Sequence, residues 1–119
     1  MRVHLVHDDF KIVVYKYLAY MYFQLKKGEP LDPEKLMNDG ESALAHINRT
    51  YWEFIFDSLE ELGYIRWPKD VREAGDPYTP EQLPHCKITP LGIDYLLQIS
   101  ALEEVKKVVG SAKAVVPFL

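Results

Sequence analysis

The sequence lacks several features on which common protein functions depend. It has one cysteine in 119 residues, Cys86, which excludes an internal disulfide and favours a reducing cytoplasm. Its longest apolar stretch, over residues 13–25, is interrupted by Lys16 and Gln24 and is too polar to span a bilayer. No apolar segment precedes Asp8, so no signal peptide is expected. We therefore expect a cytoplasmic protein with no membrane partner.

The chain also has no surplus of positive charge. It contains 14 basic and 18 acidic residues, which gives a formal net charge of −4. Because nucleic-acid binding draws much of its affinity from neutralised phosphates, it would need a local basic patch here. The balance is most acidic over residues 41–67. That segment holds Arg49 and Arg66 against Glu41, Glu53, Asp57, Glu60 and Glu61.

No arrangement typical of a catalytic, cofactor or metal site is present. The chain has no glycine-rich phosphate loop, and the histidines and aspartates of residues 4–9 lack the spacing of a zinc site. We expect His85 and Cys86 to be neighbours on a strand, with side chains on opposite faces. Such a pair cannot act as base and nucleophile. The sequence therefore predicts a protein that is not an enzyme and that binds no cofactor or metal.

Apolar side chains are abundant: 48% of residues are hydrophobic and 13% are aromatic, enough for one domain with one core. The spacing of Val14, Leu18, Met21 and Leu25 predicts a helix from Phe10 to Lys27 with one buried stripe. Asp8 or Asp9 would cap it, after a short strand or lead-in over residues 1–7. A second apolar flank predicts more than one packing neighbour. Its members are Tyr15, Tyr20, Tyr22 and Phe23.

Two further helices are predicted before the middle of the chain. Asp32 and Pro33 are typical of a helix start, and this short helix would end near Asn38. The third helix would begin at Ser42 or Asn48 and run to Leu62, where Gly63 ends it. One ridge of that helix is expected in the core. It consists of Tyr51, Ile55, Leu59 and Leu62, with Trp52 and Phe56 beside it.

The remainder predicts a β-hairpin followed by helices. Residues 64–67 and 85–88 are the expected strands, and the proline-containing segment 68–84 is the expected loop. Thr89 and Pro90 predict a fourth helix that ends near Ile99. Ser100 and Glu103 have the spacing of a capping box for a last helix that ends at Gly110. An apolar tail occupies residues 111–119.

The segment from Ile88 to Leu96, Ile-Thr-Pro-Leu-Gly-Ile-Asp-Tyr-Leu, resembles an element of the YjcQ-like winged-helix proteins of Gram-positive bacteria and their phages. The Asp9-Phe10-Lys11-Ile12 opening, the Tyr51-Trp52 helix and the Leu62-Gly63-Tyr64-Ile65 exit carry the same resemblance. It covers roughly residues 9–109. It implies a winged helix (winged helix-turn-helix), mainly α with a small antiparallel β-hairpin and an additional C-terminal helix. Residues 1–110 would form this domain, with a nucleic-acid-binding or regulatory role of bacterial or prophage origin.

If the chain binds double-stranded DNA, the third helix would enter the major groove and the hairpin would contact the backbone. The candidate contacts are Asn48, Arg49, Thr50, Arg66, Lys69, Arg72 and Lys87. Asn and Arg can read adenine and guanine bidentately. Glu53 and Asp57 would repel phosphates, however, and Arg49 and Glu53 have the spacing of an intrahelical ion pair. A protein-interaction module that keeps the fold without binding DNA is therefore the alternative.

Two interpretations of the apolar surface also remain open. The aromatic flank of the first helix, the last helix and the tail exceed the apolar surface that a monomer normally exposes. The tail could fold back over the first helix. Alternatively, these elements could form a homodimer across a two-fold axis, a common arrangement among bacterial winged helices.

Overall fold

The computed structural model describes residues 4–103 and 105–107, and helix α1, His4–Lys27, passes through its core. Almost every side chain between positions 13 and 21 is buried, with Lys16 the half-buried exception. A helix buried around its circumference has neighbours on several sides. Tyr15 and Tyr20 are 1% and 7% exposed, so the expectation of more than one packing neighbour is confirmed.

Two expectations for α1 were wrong. The helix does not start at Asp8 or Asp9 but extends back to His4, where a strand or lead-in was expected; residues 1–3 lie outside the described residues. Aspartate is only a moderately poor helix former, so a favourable capping residue does not force a helix to begin there. Leu25, assigned to the buried stripe, is 59% exposed because it lies on an open groove described below.

The next two helices begin at capping residues. Helix α2, Pro33–Leu36, has Asp32 as its N-cap, which accepts a hydrogen bond from the Glu34 N–H at 3.0 Å. Helix α3, Arg49–Glu61, begins after Asn48, which accepts from the Tyr51 N–H at 2.8 Å. Of the two predicted starts of the third helix, Ser42 and Asn48, the structure has the later one. The buried residues of α3 are Trp52, Ile55, Phe56 and Leu59.

Helix α3 ends in a Schellman motif built on Gly63. The Tyr64 N–H donates to the Leu59 carbonyl at 2.8 Å and the Gly63 N–H to the Glu60 carbonyl at 3.0 Å. Gly63 has a φ of +82°, a conformation that favours glycine. Leu62 is the C-cap and is 58% exposed, so its assignment to the buried ridge was wrong.

A short antiparallel hairpin follows. Strand β1, Ile65–Arg66, pairs with β2, Lys87–Ile88, so that Ile65 lies opposite Ile88 and Arg66 opposite Lys87. Antiparallel pairing is confirmed, but both strands are shorter than expected. His85 belongs to a 3₁₀ turn, Leu83–His85, rather than to a strand. Proline at positions 68 and 84 limits how far the ladder can extend.

The segment between the strands is not all loop. It contains helix α4, Lys69–Glu73, which follows Pro68 and buries Val71. Tyr78 anchors the rest of the segment in the core, with ring centroids 5.0 Å from Trp52 and 6.0 Å from Trp67. The sequence pattern missed α4 because one turn of helix is too short to show apolar periodicity.

Helix α5, Pro90–Ile99, has Thr89 as its N-cap, as expected. The predicted capping box after it was wrong, because Ser100 is the C-cap of α5 and its hydroxyl donates to the Leu97 carbonyl at 2.8 Å. Glu103 and residues 105–107 are helical, and Val105 is fully buried. The predicted end of the last helix at Gly110 and the tail 111–119 lie outside the described residues.

The start of α5 lies against the end of α3. The Thr89 N–H donates to the Tyr64 carbonyl at 3.0 Å, and the Thr89 hydroxyl donates to the Gly63 carbonyl at 2.5 Å. Gly92 is buried at this contact, where a Cβ atom would lie 2.2 Å from the Tyr64 carbonyl oxygen and 2.9 Å from Cγ1 of Ile88. Only glycine fits there, so this contact fixes how closely α5 approaches the hairpin.

We expect Gly92→Ala to destabilise the protein by about 2–3 kcal/mol, although alanine is the better helix former. The backbone at Tyr64 would have to move to admit the methyl group. Gly28→Ala is the control, because Gly28 has a φ of +72° but no atom within 4 Å of its added Cβ. Urea unfolding followed by tryptophan fluorescence measures both. Equal losses in the two variants would contradict the close-contact argument.

Candidate nucleic-acid interface

Arg49, the central predicted base reader, is half-exposed but makes several contacts with the rest of the fold. Its Nε lies 3.2 Å from Oε2 of Glu53, and Nη1 donates to Oδ1 of Asn38 at 3.3 Å. Nη2 donates to the Tyr78 carbonyl at 3.4 Å, and the guanidinium lies 4.3 Å from the centroid of the Trp52 ring. Arg49 therefore links the start of α3 to Asn38, which precedes the helix, and to Tyr78, which follows it.

The other two predicted base-contacting residues of α3, Asn48 and Thr50, differ in whether their side chains are available for a contact. Asn48 uses Oδ1 to cap α3. Bidentate contact with adenine needs both the oxygen and the amide nitrogen of an asparagine, so the cap competes with base reading. Thr50 is exposed, and its hydroxyl makes no hydrogen bond within the described residues. Of the three readers, only Thr50 has an uncommitted side chain.

The outer face of α3, which we define as Thr50, Glu53, Phe54, Asp57 and Glu61, is acidic and partly apolar. Phe54 is 58% exposed, and Asp57 and Glu61 are exposed. The Asp57 carboxylate accepts a hydrogen bond from the Tyr78 hydroxyl. Burial and this carboxylate raise the pKa of Tyr78 well above its usual value, so its hydroxyl remains a donor at neutral pH.

The predicted cations of the hairpin and its loop fall into two groups. Arg72 forms two bonds with Glu60, from Nε at 3.0 Å and from Nη2 at 2.5 Å, and Lys69 lies 3.9 Å from Glu73. The other group, Arg66 and Lys87, is exposed and has no acidic partner among residues 10–103 and 105–107, whose side chains the structure describes. The structure thus separates two cations that have a carboxylate partner from two that have none among the described side chains.

Arg66 and Lys87 lie directly opposite each other on β1 and β2 and so share one face of the hairpin. Like charges in this position destabilise a sheet. The two residues border a groove of about 370 Å³ between the hairpin and the last turn of α1. We call it the hairpin groove. It is also lined by Met21, Leu25, Glu29, Pro30, Leu31, Pro84, Cys86 and Ile88.

The thiol and imidazole next to this groove are not arranged for nucleophilic chemistry. Cys86 is 2% exposed, and burial raises the pKa of its thiol far above neutrality. His85 is exposed on the 3₁₀ turn. The two residues were expected on one strand. Instead, His85 is the last residue of the 3₁₀ turn and Cys86 is the residue after it.

In the part of the chain that the structure describes, no group of three or more His, Cys, Asp or Glu side chains is placed to hold a metal ion. The side chains of His4, His7, Asp8 and Asp9 lie outside that part. None of the described helices has the length and apolar character that crossing a bilayer requires.

Comparisons with known proteins add no further constraint. No family model matches the chain, and no curated protein or solved structure matches it. The YjcQ-like assignment therefore stays a prediction.

We expect Arg49→Lys to destabilise the protein by about 1–3 kcal/mol, because an ammonium group cannot make the several directed bonds of the guanidinium. Arg66→Lys is the matched control. Arg66 makes no comparable contacts among the described residues, so its replacement should leave the unfolding free energy unchanged. Chemical denaturation measures both. An unaltered stability of Arg49→Lys would mean that Arg49 is free for another role.

Proposed function

We propose that the protein is a winged-helix interaction module that binds a basic, amphipathic protein segment through the outer face of α3. The order of elements supports the winged-helix assignment: α3 turns at Gly63 directly into β1, and β2 leads at Thr89 directly into α5. In that fold α3 is in the recognition-helix position and the hairpin is the wing.

The observation that carries this proposal is the character of the surface in the recognition position. Phe54 and Leu62 are each 58% exposed on or beside the outer face of α3, and Leu91 of α5 is 59% exposed. Leu91 extends the α3 surface, since its Cδ1 lies 3.6 Å from a Cβ built on Gly63. Exposed apolar residues with charged ones around them are typical of protein interfaces.

Charge decides which kind of partner fits. Asp57 and Glu61 are exposed beside Phe54, and no cation pairs with either within the described residues. A duplex would place phosphates against these carboxylates. A second copy joined symmetrically through this face would place carboxylates against carboxylates. A partner with lysine or arginine around an apolar ridge complements the surface in both respects.

The homodimer predicted from the aromatic flank of α1 has lost part of its basis. Tyr15 and Tyr20 are buried within one chain and have no surface to offer a second one. Tyr22 and Phe23 of the same flank are half-buried. The last helix and the tail were the other proposed contacts, and residues 108–119 lie outside the described residues. The dimer therefore remains a hypothesis.

Nucleic-acid binding is the second candidate, and one observation favours it. Arg66 and Lys87 are unpaired cations on the hairpin, the element with which a winged helix contacts the DNA backbone. Thr50 could add a contact at the start of α3. Two or three contacts of this kind imply weak binding with little sequence preference.

The partner proposal is tested with a synthetic helical peptide that has lysines around a leucine ridge. We expect Phe54→Ala to weaken binding about 5- to 10-fold, as loss of an interface anchor does. Leu25→Ala is the matched control, because Leu25 is equally exposed but lies on the hairpin groove. Titration calorimetry gives both affinities. Equal affinities of the two variants, or absence of binding at low salt, would refute the α3 site.

The nucleic-acid candidate is tested by titrating mixed-sequence duplex DNA at several salt concentrations. If the hairpin contacts phosphates, we expect Arg66→Gln and Lys87→Gln each to reduce the log–log salt slope by about one. Lys69→Gln is the control, since Lys69 is already close to Glu73. Absence of binding by the unaltered protein at low ionic strength would rule out this candidate.

A further inference from the structure

We propose that the hairpin groove binds a small organic anion with an apolar body, and that Arg66 and Lys87 hold its anionic group. The partner proposal does not use this groove, and none of the residues involved belongs to the outer face of α3. The nucleic-acid candidate uses the same two cations, so a test of this inference must distinguish a small anion from a nucleic-acid backbone.

The register of the hairpin places the two cations side by side. Arg66 and Lys87 are paired across β1 and β2, and both are exposed. Ile65 and Ile88 form the other pair of the ladder and are buried. Side chains directly opposite in an antiparallel pair have Cβ atoms about 5 Å apart, so one carboxylate or phosphate can contact both.

The arrangement is slightly unfavourable without an anion. Two like charges face each other on a ladder of only two residue pairs, and neither has an acidic neighbour in the described chain. The acidic residue of the groove, Glu29, does not compensate them, because it pairs with Lys27 at 3.2 Å. Arg49, Lys69 and Arg72, by contrast, each have a carboxylate partner. The hairpin groove therefore has an excess of positive charge.

The remaining wall of the groove is suited to hydrocarbon. Met21 and Leu25 of α1, Leu31 of the following turn and Ile88 of β2 line it. Leu25 is 59% exposed in the last turn of α1, so its apolar surface is available to a ligand. A volume of about 370 Å³ is at the lower end of the range for small-molecule sites and far too small for a duplex. A carboxylate on a short aliphatic or aromatic chain matches both the charge and the wall.

The proposal is tested with octanoate as the probe, followed by calorimetry and by chemical shifts of backbone amides. We expect shifts to concentrate at Arg66, Lys87, Leu31 and the last turn of α1. Arg66→Gln and Lys87→Gln should each weaken octanoate binding about tenfold, as expected when one charged hydrogen bond is lost. Lys69→Gln should bind as the unaltered protein does. Equal weakening by Lys69→Gln would refute the site.

Three further ligands show whether binding depends on the negative charge, on the kind of anionic group, and on whether that group belongs to a small molecule or to a nucleic acid. Octanol lacks the charge and should bind at least tenfold more weakly than octanoate; equal binding would refute the role of the cations. Octyl phosphate tests whether the pair prefers phosphate. If octyl phosphate binds more tightly and mixed-sequence DNA displaces it, the anion belongs to a nucleic-acid backbone and the small-molecule assignment is wrong.

Stability without ligand provides an independent check. Because the two cations repel each other, Arg66→Gln or Lys87→Gln should raise the melting temperature slightly, and saturating octanoate should raise that of the unaltered protein. A lower melting temperature in the variants would mean that the pair stabilises the fold, which removes the reason to expect a ligand. Phe54→Ala should bind octanoate normally, so failure of the partner proposal leaves this test intact.

Discussion

Thr89 and Gly92, at the start of α5, lie against the backbone of Gly63 and Tyr64, at the end of α3. Two hydrogen bonds from Thr89 and the missing side chain of Gly92 allow backbone to approach backbone. As a result, α3, both strands and α5 form one unit in which no element can shift by a residue. The pairing of Ile65 with Ile88 follows from this contact, and with it the pairing of Arg66 with Lys87.

Much of this unit could be predicted from local sequence. Asp32, Asn48 and Thr89 cap helices as their side-chain chemistry suggests, and Gly63 ends α3 as its conformational freedom suggests. The failures have a common cause. Helix α4 and the role of Ser100 depend on what each segment packs against, and that information is spread over distant parts of the chain.

The contacts of the candidate site likewise include some that local sequence predicts and others that depend on distant parts of the chain. The Arg49–Glu53 pair was foreseeable because it lies within one helix turn. The Arg72–Glu60 pair was not, since it forms only when the segment after β1 folds back over α3. The position of Arg66 opposite Lys87 could be predicted only from the register of the hairpin. Pairing the two buried isoleucines, Ile65 and Ile88, would have predicted that register if both strands had been taken as two residues long.

The charges of the folded chain are distributed in a way that the net value conceals. Internal ion pairs neutralise Arg49 and Arg72, which leaves the outer face of α3 acidic and the hairpin groove basic. The two surfaces are joined by the junction of Gly63 and Tyr64 with Gly92. Helix α1 also links them, because the Phe10 ring lies 6.5 Å from the Phe54 ring and Leu25 lines the groove. A ligand on one surface can alter affinity at the other only if one of these connections has two arrangements. The contact at Gly92 has no space for a methyl group, which argues against a second arrangement of the junction. The two surfaces therefore differ in the sign of charge they select, and any coupling between them would run through α1.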